Sequence, residues 1–475
     1  MSFPDLQPGA HIHLMGICGT AMASLAGLLK DRGFKVTGSD SNPYPPMSTQ
    51  LASLGISIAK GYKAENLKLH PDFVIVGNVI SANNEEAQEL ARLKIPFTSL
   101  PKAMGEFIIE DRESIVVSGT HGKTTTTSMI AWVAEQLGYK PGFLIGGIPK
   151  NFSRSFQNPG GDLFVIEGDE YDTAYFDKVP KFVHYKPKYV ILTSIEFDHA
   201  DIYKDLGAVK DAFIQLMKLI PEDGILVCSH ADLNIAEIRK YCKARRIFTY
   251  GINEGDYRTR DIKVSDGGSS FFVDGPGQPS VAQIQLKMTG EYNVLNGLAV
   301  VAMADALKWN LKKTSEALNL FSGVKRRQEI LGEPAGVLVI EDFAHHPTAV
   351  RETVRGIQAS YPGRKLFSVF EPRSATSRRK FFQKQYVEAF AKSPEVLIAK
   401  AFDQTKIDQQ DRFSSEELAA DLIQQGCSAS VFENADQIVS DLAQRTRKGD
   451  LVLIMSNGGF DGIYEKLLSA LQARS

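Results

Sequence analysis

The chain has 475 residues, 43% of them hydrophobic and 23% charged, with a formal net charge of −2. That is the composition of a globular protein with core enough for about three domains, and so small a net charge offers no general attraction to nucleic acid or to an anionic membrane. The apolar stretch from Ile12 to Leu29 is interrupted by His13, three glycines, Thr20 and Ser24 and has no basic segment before it, which argues against a membrane span or a signal peptide.

Cys18, Cys228, Cys242 and Cys427 form no C-x-x-C pair, so reduced thiols and a cytoplasmic setting are expected. The composition specifies no oligomeric state.

The chain opens on a predicted strand, His11 to Met15, a loop Gly16-Ile-Cys18-Gly19, a helix from Thr20 to Arg32, a strand from Phe34 to Gly38, and then Asp40. This βαβ unit with an acidic residue after its second strand is the pattern of nucleotide-binding folds, although the full dinucleotide fingerprint is missing and a purely structural loop fits as well. Strands follow at Asp72 to Asn78 and Pro96 to Ser99, and the first domain is expected to span 1–108.

A second domain, 109–325, begins with an apolar strand from Ser114 to Val117 that runs into Ser118-Gly119-Thr120-His121-Gly122-Lys123-Thr124-Thr125, ahead of a helix predicted from Ser128 to Leu137. A glycine-rich turn between strand and helix N-terminus attracts phosphate through exposed N–H groups and the helix dipole. Lys123 adds a point charge, and Thr124 is placed to ligate Mg²⁺. The usual phosphate-loop spacing would need a glycine at Val117, so the match is partial.

The strand Leu163 to Ile166 ends in the carboxylate run Glu167-Gly-Asp169-Glu170-Tyr171-Asp172, and Tyr189 to Thr193 leads to Glu196-Phe-Asp198-His199. Carboxylates and a histidine past the ends of parallel strands suit a nucleotide-bound metal; a solvated acidic loop and a structural histidine are the plain alternatives. From Tyr257 to Met288 short alternating strands broken by Gly and Pro predict an antiparallel flap. Asn293 and Asn296 then share one face of a helix from Tyr292 to Lys308; spacing alone makes them capping or surface residues.

The third domain, 326–475, alternates strands at 336–341, 365–370, 395–399, 429–432 and 450–455 with helices at 347–359, 379–391, 415–425 and 434–446 and after Gly462, a parallel-sheet pattern. Arg327 in the basic linker, and Asp342 and His346 before Pro347, are candidates to meet the nucleotide. The plain readings are a solvated linker and a helix-start turn.

Together these residues resemble the Mur ligases, over essentially the whole chain. The family's G-T-x-G-K-T-T loop matches Gly119 to Thr125 and accounts for Val117. The resemblance implies three α/β domains: a Rossmann-like UDP-binding domain, a central P-loop ATPase-like domain with a mostly parallel sheet and a small antiparallel flap, and a C-terminal Rossmann-like domain.

It implies ATP bound by Gly119, Thr120, His121, Gly122, Lys123, Thr124, Thr125, Asn293, Asn296, Arg327 and Asp342, and Mg²⁺ held by Thr124, Glu167 and His199. Lys123, Glu167, His199 and Arg327 are the implied catalytic set. The segments His13 to Met22, Gly38 to Asp40 and Ile80 to Asn83 are similar to the branch that adds alanine to UDP-N-acetylmuramate, and imply a UDP site at Gly16, Cys18, Gly19, Thr20, Asp40, Ser81 and Asn83.

The runs Glu167 to Lys178, Phe370 to Ser374 and Ser456 to Phe460 are more similar to the branch that adds the murein tripeptide L-alanyl-γ-D-glutamyl-meso-diaminopimelate. His346, Arg373, Ser374 and Asn457 are the matching peptide-binding candidates. Several branches carry a modified lysine some fifteen residues after the histidine; Asp211-Ala-Phe213-Ile214 has none, as in the alanine- and tripeptide-adding branches. An ATP-driven binding or switch protein is the alternative outside the ligases.

Overall fold

The computed structural model describes residues 6–43, 47–110, 112–152, 154–265 and 267–474. It forms two compact units. One comprises residues up to Glu196 with Leu206–Arg258 and Ala299–Ala317; the other comprises Phe197–Asp205, Thr259–Leu298 and the chain from Leu318 onward.

The first unit holds two sheets. The N-terminal one is parallel and five-stranded, in the order Ser57–Lys60, Lys35–Asp40, His11–Met15, Phe73–Val76, Phe97–Ser99. Its central strands are buried along their whole length: Phe73–Val76 reads as a continuous apolar run, whereas His11–Met15 carries two buried histidines, His11 bonded to Thr37 Oγ1 and His13 to Glu86 Oε1. The second strand continues to Asp40, past the expected end at Gly38, because Gly38, Ser39 and Asp40 pair with Ile58, Ala59 and Lys60. That partner strand is four residues long and only partly covered, which is why no apolar run announced it.

The second sheet of this unit sets Glu113–Ser118 between Pro187–Leu192 and Leu163–Gly168, all parallel. Ile225–Ser229 and Arg246–Gly251 extend it on one side, Gly142–Leu144 and the antiparallel Phe156–Gln157 on the other. The helix after the glycine loop runs Lys123–Gln136 and so starts five residues before the expected Ser128. β-Branched threonines weaken helix propensity, but Thr124 to Thr127 are buried here, Thr127 Oγ1 donates to Lys123 O at 2.8 Å, and tertiary packing wins.

In the second unit, Gly268–Gly275 and Gln278–Leu286 pair antiparallel, as the flap pattern predicted. The C-terminal sheet has the order Glu329–Gly332, Leu338–Asp342, Leu451–Met455, Leu366–Phe370, Glu395–Ala399, Ser428–Phe432. It is parallel except for Glu329–Gly332, an antiparallel edge that the alternation did not foretell.

Leu338 and Ile340 face the core with helices Pro347–Ser360, Gln383–Phe390 and Ser415–Gln424, while Val337 and Val339 face the core with Ala435–Arg445 and Ile463–Gln472. The helix expected over 379–391 is divided into a 3₁₀ turn, Lys380–Phe382, and the α-helix from Gln383. Because Leu451–Met455 is inserted between the first two parallel strands, the chain changes direction there.

Candidate functional site

The glycine loop is shaped by two residues that need positive φ, Gly119 at 128° and Gly122 at 79°. A Cβ on Gly119 would stand 2.2 Å from Thr193 Oγ1, so no other residue fits. Thr120 N donates to Ser194 O at 2.9 Å, and Thr120 Oγ1 accepts from Glu196 N at 2.8 Å, tying the loop to the neighbouring strand's end. The helix starts at Lys123 with Gly122 as its cap; Thr126 N is the donor that returns to Gly122 O, and the amides ahead of it open towards an anion.

Lys123 Nζ folds back over this loop, 2.6 Å from Gly119 O, 3.0 Å from Glu170 Oε2 and 3.9 Å from Asp169 Oδ1. Burial opposes its charge, but Glu170 and Asp169 outweigh burial and hold the ammonium above its ordinary range. Burial would likewise raise Asp169, yet Lys181 and Lys123 bring its carboxyl down to about 2.

The acidic run is therefore no solvated loop: Glu170 is buried, and Lys181, which no motif marked, lies 3.0 Å from Asp169 and over the Tyr171 ring. Lys181 follows the hairpin Asp172–Ala174 with Asp177–Pro180, two short strands also invisible in the sequence.

Glu167 sits inside its strand rather than beyond it, opposite Val117, and accepts from Thr124 Oγ1 at 2.9 Å and from Gly146 N. Burial, then Asp169, raises its pKa. A half-buried carboxylate with a raised pKa beside a hydroxyl is the oxygen donor set of a hard divalent cation, whose charge would reverse that shift. His121 Nε2, on the glycine loop, and Glu196 Oε2, past the end of Pro187–Leu192, stand 3.3 Å apart.

In the second unit, Asn293 and Asn296 are buried, neither capping nor on the surface. Asn293 Nδ2 donates to Thr289 O at 2.7 Å, and Asn296 Nδ2 to Asn293 Oδ1 at 3.3 Å. Gln328, absent from the sequence reading, joins them to Asp342: its Nε2 donates to Thr289 O at 3.0 Å and its N to Asp342 Oδ2 at 2.8 Å. Burial raises the pKa of Asp342, against the pull of Arg327.

Arg326 and Gln328 both adopt left-handed backbone, at φ 61° and 49°, which pins the residue between them. Arg327 lies over the Phe343 ring at 4.5 Å, whereas Arg326 is structural, bonded to Glu341 at 2.6 Å and to the carbonyls of Ser456 and Gly458.

His199 has a φ of 54° and follows Asp198, which accepts from Thr376 Oγ1 at 2.6 Å. Burial opposes the Asp198 charge, but His345, His199 and His346 keep its carboxyl well below the usual range. His346 caps the helix from Pro347 through Nδ1, and its Nε2 is 3.2 Å from Phe197 O, so both ring nitrogens serve the fold. The helix-start reading of this motif therefore holds.

Arg373 pairs with the buried Glu371 at 3.1 Å and stacks on Phe402 at 3.8 Å. Ser374 Oγ accepts from Ser377 N at 2.9 Å, a local turn. Asn457 Oδ1 is buried without a hydrogen-bond partner among the described residues, on a loop held by Arg326 and by the Glu371–Ser456 bond.

At the N-terminal sheet, Asp40 Oδ2 accepts from Cys18 N at 2.9 Å and Gly16 N donates to Ser39 O at 2.8 Å, so Asp40 shapes the loop. Gly19 caps the helix that Thr20 begins. Ser81 and Asn83 are exposed, past the end of Phe73–Val76.

The fold and the loop define a phosphate-binding α/β protein with a paired lysine, threonine and carboxylate at one helix N-terminus. Profiles of the Mur ligase family match in succession: the family's catalytic domain over residues 11–112, the Mur ligase middle domain over 117–304, and the Mur ligase glutamate ligase domain over 326–458. The chain belongs to the Mur ligase family.

It is 37% identical, over 98% of its length and 99% of the relative's, to the UDP-N-acetylmuramate–L-alanyl-γ-D-glutamyl-meso-2,6-diaminoheptandioate ligase of Escherichia coli. It is 33% identical to the UDP-N-acetylmuramate–L-alanine ligase of Desulfitobacterium hafniense, over 96% of the chain and 99% of that relative. A murein peptide ligase structure from Psychrobacter arcticus matches with a TM-score of 0.74 at 34% identity, covering 98% of this chain and 99% of that one.

Proposed function

We propose that this protein is an ATP-dependent ligase that joins the lactyl carboxylate of UDP-N-acetylmuramate to the amine of L-alanyl-γ-D-glutamyl-meso-diaminopimelate, in peptidoglycan recycling. The observation that carries the chemistry is the Lys123–Thr124–Glu167 arrangement at a helix N-terminus. The choice of amine is supported by the identity to the E. coli relative.

The carboxylate attacks the γ-phosphorus of ATP, ADP departs, and an acyl phosphate forms; the peptide amine then displaces phosphate to give the amide. Both reactants of the first step are anionic, so the site's main work is neutralising charge and holding an in-line geometry.

Lys123 turns from Glu170 to the terminal phosphates, and the amides from Gly122 to Thr125, at the start of the helix, line them. Thr124, Glu167 and His199 take the magnesium-ligand role that the family resemblance implies. Bound there, Mg²⁺ would supply Lewis-acid charge for the transferring group.

Asn293, Asn296, Arg327 and Asp342 keep their implied role as nucleotide contacts. Gly16, Cys18, Gly19, Thr20, Ser81 and Asn83 are assigned to the UDP moiety, with Asp40 acting through the loop it shapes. Arg373 and Asn457 are assigned to the peptide, with Ser374 and His346 as positioning residues. The proposed domains are 1–108 for the UDP substrate, 109–325 for ATP and 326–475 for the peptide.

Among the described residues no helix is long and apolar enough to cross a membrane, and the proposed setting is cytoplasmic. The test is to incubate the protein with ATP, Mg²⁺, UDP-N-acetylmuramate and tripeptide and to weigh the products. The expected mass is that of the two substrates joined with loss of water; ATP turnover without that mass would refute the ligase reading.

A further inference from the structure

The C-terminal sheet's carboxyl edge carries three arginines within seven residues, Arg373, Arg378 and Arg379, and they are not alike. The loops after the adjacent strands Leu366–Phe370 and Glu395–Ala399 are laced together there. Phe402 N donates to Pro372 O at 3.0 Å, Phe413 N to Arg378 O at 3.0 Å, and Gln404 Nε2 to Arg378 O at 2.8 Å.

Arg378 donates to the carbonyls of Ser374, Phe402 and Asp403, so its guanidinium is part of the lacing. Arg373 already has Glu371 and the Phe402 ring.

Arg379 differs. Its backbone is fixed by a bond from its N to Thr376 O at 3.1 Å and by an isolated antiparallel bridge to Arg412. Its guanidinium has no hydrogen bond or ion pair among the described residues, and its Nε is buried. A buried N–H without an acceptor is destabilising, and the group whose two oxygens match the guanidinium fork is a carboxylate. Two residues on, Phe381 is 60% exposed and rests on Phe197 at 4.7 Å and Phe382 at 4.8 Å, an apolar shelf fit for methylene groups.

We propose that Arg379 binds a distal carboxylate of the peptide amine and thereby sets selectivity for a polyanionic peptide. This rests on the tripeptide reading above. The tripeptide carries three carboxylates, two of them on the diaminopimelate with its methylene chain, whereas L-alanyl-D-glutamate lacks that residue altogether.

The test measures kcat and KM for tripeptide and for L-alanyl-D-glutamate in the wild type, R379Q and R379K, with thermal melting of each. In R379Q the KM for tripeptide should rise on the order of 10- to 100-fold, the scale of one charged hydrogen-bonded contact. The ratio of the two KM values should shift by the same factor, with partial recovery in R379K and no loss of melting temperature, since no native partner is removed.

An unchanged ratio, or equal KM increases for both peptides with a lowered melting temperature, would overturn the assignment. If the wild type makes no product from tripeptide, the underlying reading fails as well; if it does and the ratio stays put, only the role of Arg379 fails.

Discussion

The phosphate loop and the C-terminal sheet edge are both built past the carboxyl ends of parallel strands, yet they recognise by different means. At the loop, consecutive residues form the proposed cradle: two glycines take positive φ, the helix starts at Lys123, and the lysine's amine folds back over the turn. At the sheet edge, side chains converge from Glu371, Arg373, Phe402 and Ser456, held by an arginine, Arg326, that itself belongs to the fold. A backbone cradle suits a phosphate chain common to many enzymes; a side-chain mosaic can be changed one residue at a time to suit a different amine.

The largest expected break in this contrast is at the loop. Lys123→Ala should lower turnover by on the order of 10²-fold or more, the scale of a lost transition-state contact, with substrates saturating. A near-normal rate under those conditions would place the phosphate charge elsewhere.

Arg326→Ala should act on the other region through stability. It leaves Glu341 buried without its cation, at a cost of about 2–3 kcal/mol by denaturant titration, below the full buried-pair value because Arg326 is partly exposed. Arg327→Ala removes the stacking on Phe343 but leaves the Arg326–Glu341 pair in place, so its melting temperature should fall less than that of Arg326→Ala while turnover falls. Equal destabilisation by both variants would erase the distinction drawn between the two arginines.

The smallest effect sharpens the loop side. Asp169 is held at about 2 in the fold, below its unfolded value, so it contributes stability that is fully present above about pH 4 and is lost as pH falls towards 2. The shift corresponds to on the order of 2 kcal/mol. Asp169→Asn should flatten the acid limb of stability against pH in that window; an unchanged limb would mean the Lys181 and Lys123 pairings contribute nothing.

The same contrast governs what was legible before any coordinates. Gly119 to Thr125 could be read because a backbone cradle is written in adjacent residues, and the parallel strands because strands buried on both faces are continuous apolar runs. The helix start at Lys123 was not, since four threonines argue locally against helix and only burial overrides them.

Gln328 and Lys181 carry no motif, and Glu371 lies within the run Phe370 to Ser374 without being singled out there. They matter because the topology brings them to Asp342, Asp169 and Arg373 respectively. Asn293 and Asn296 shared a helix face as expected, but that the face is buried depended on the fold.

The central claim, a phosphate-loop ligase whose C-terminal edge selects a peptide over a single amino acid, is tested most directly by competition. The protein is given ATP, Mg²⁺ and UDP-N-acetylmuramate with equimolar L-alanine and tripeptide in one vessel, and the two products are resolved by mass. The account predicts that the tripeptide adduct dominates; a product mixture dominated by the alanine adduct would contradict it.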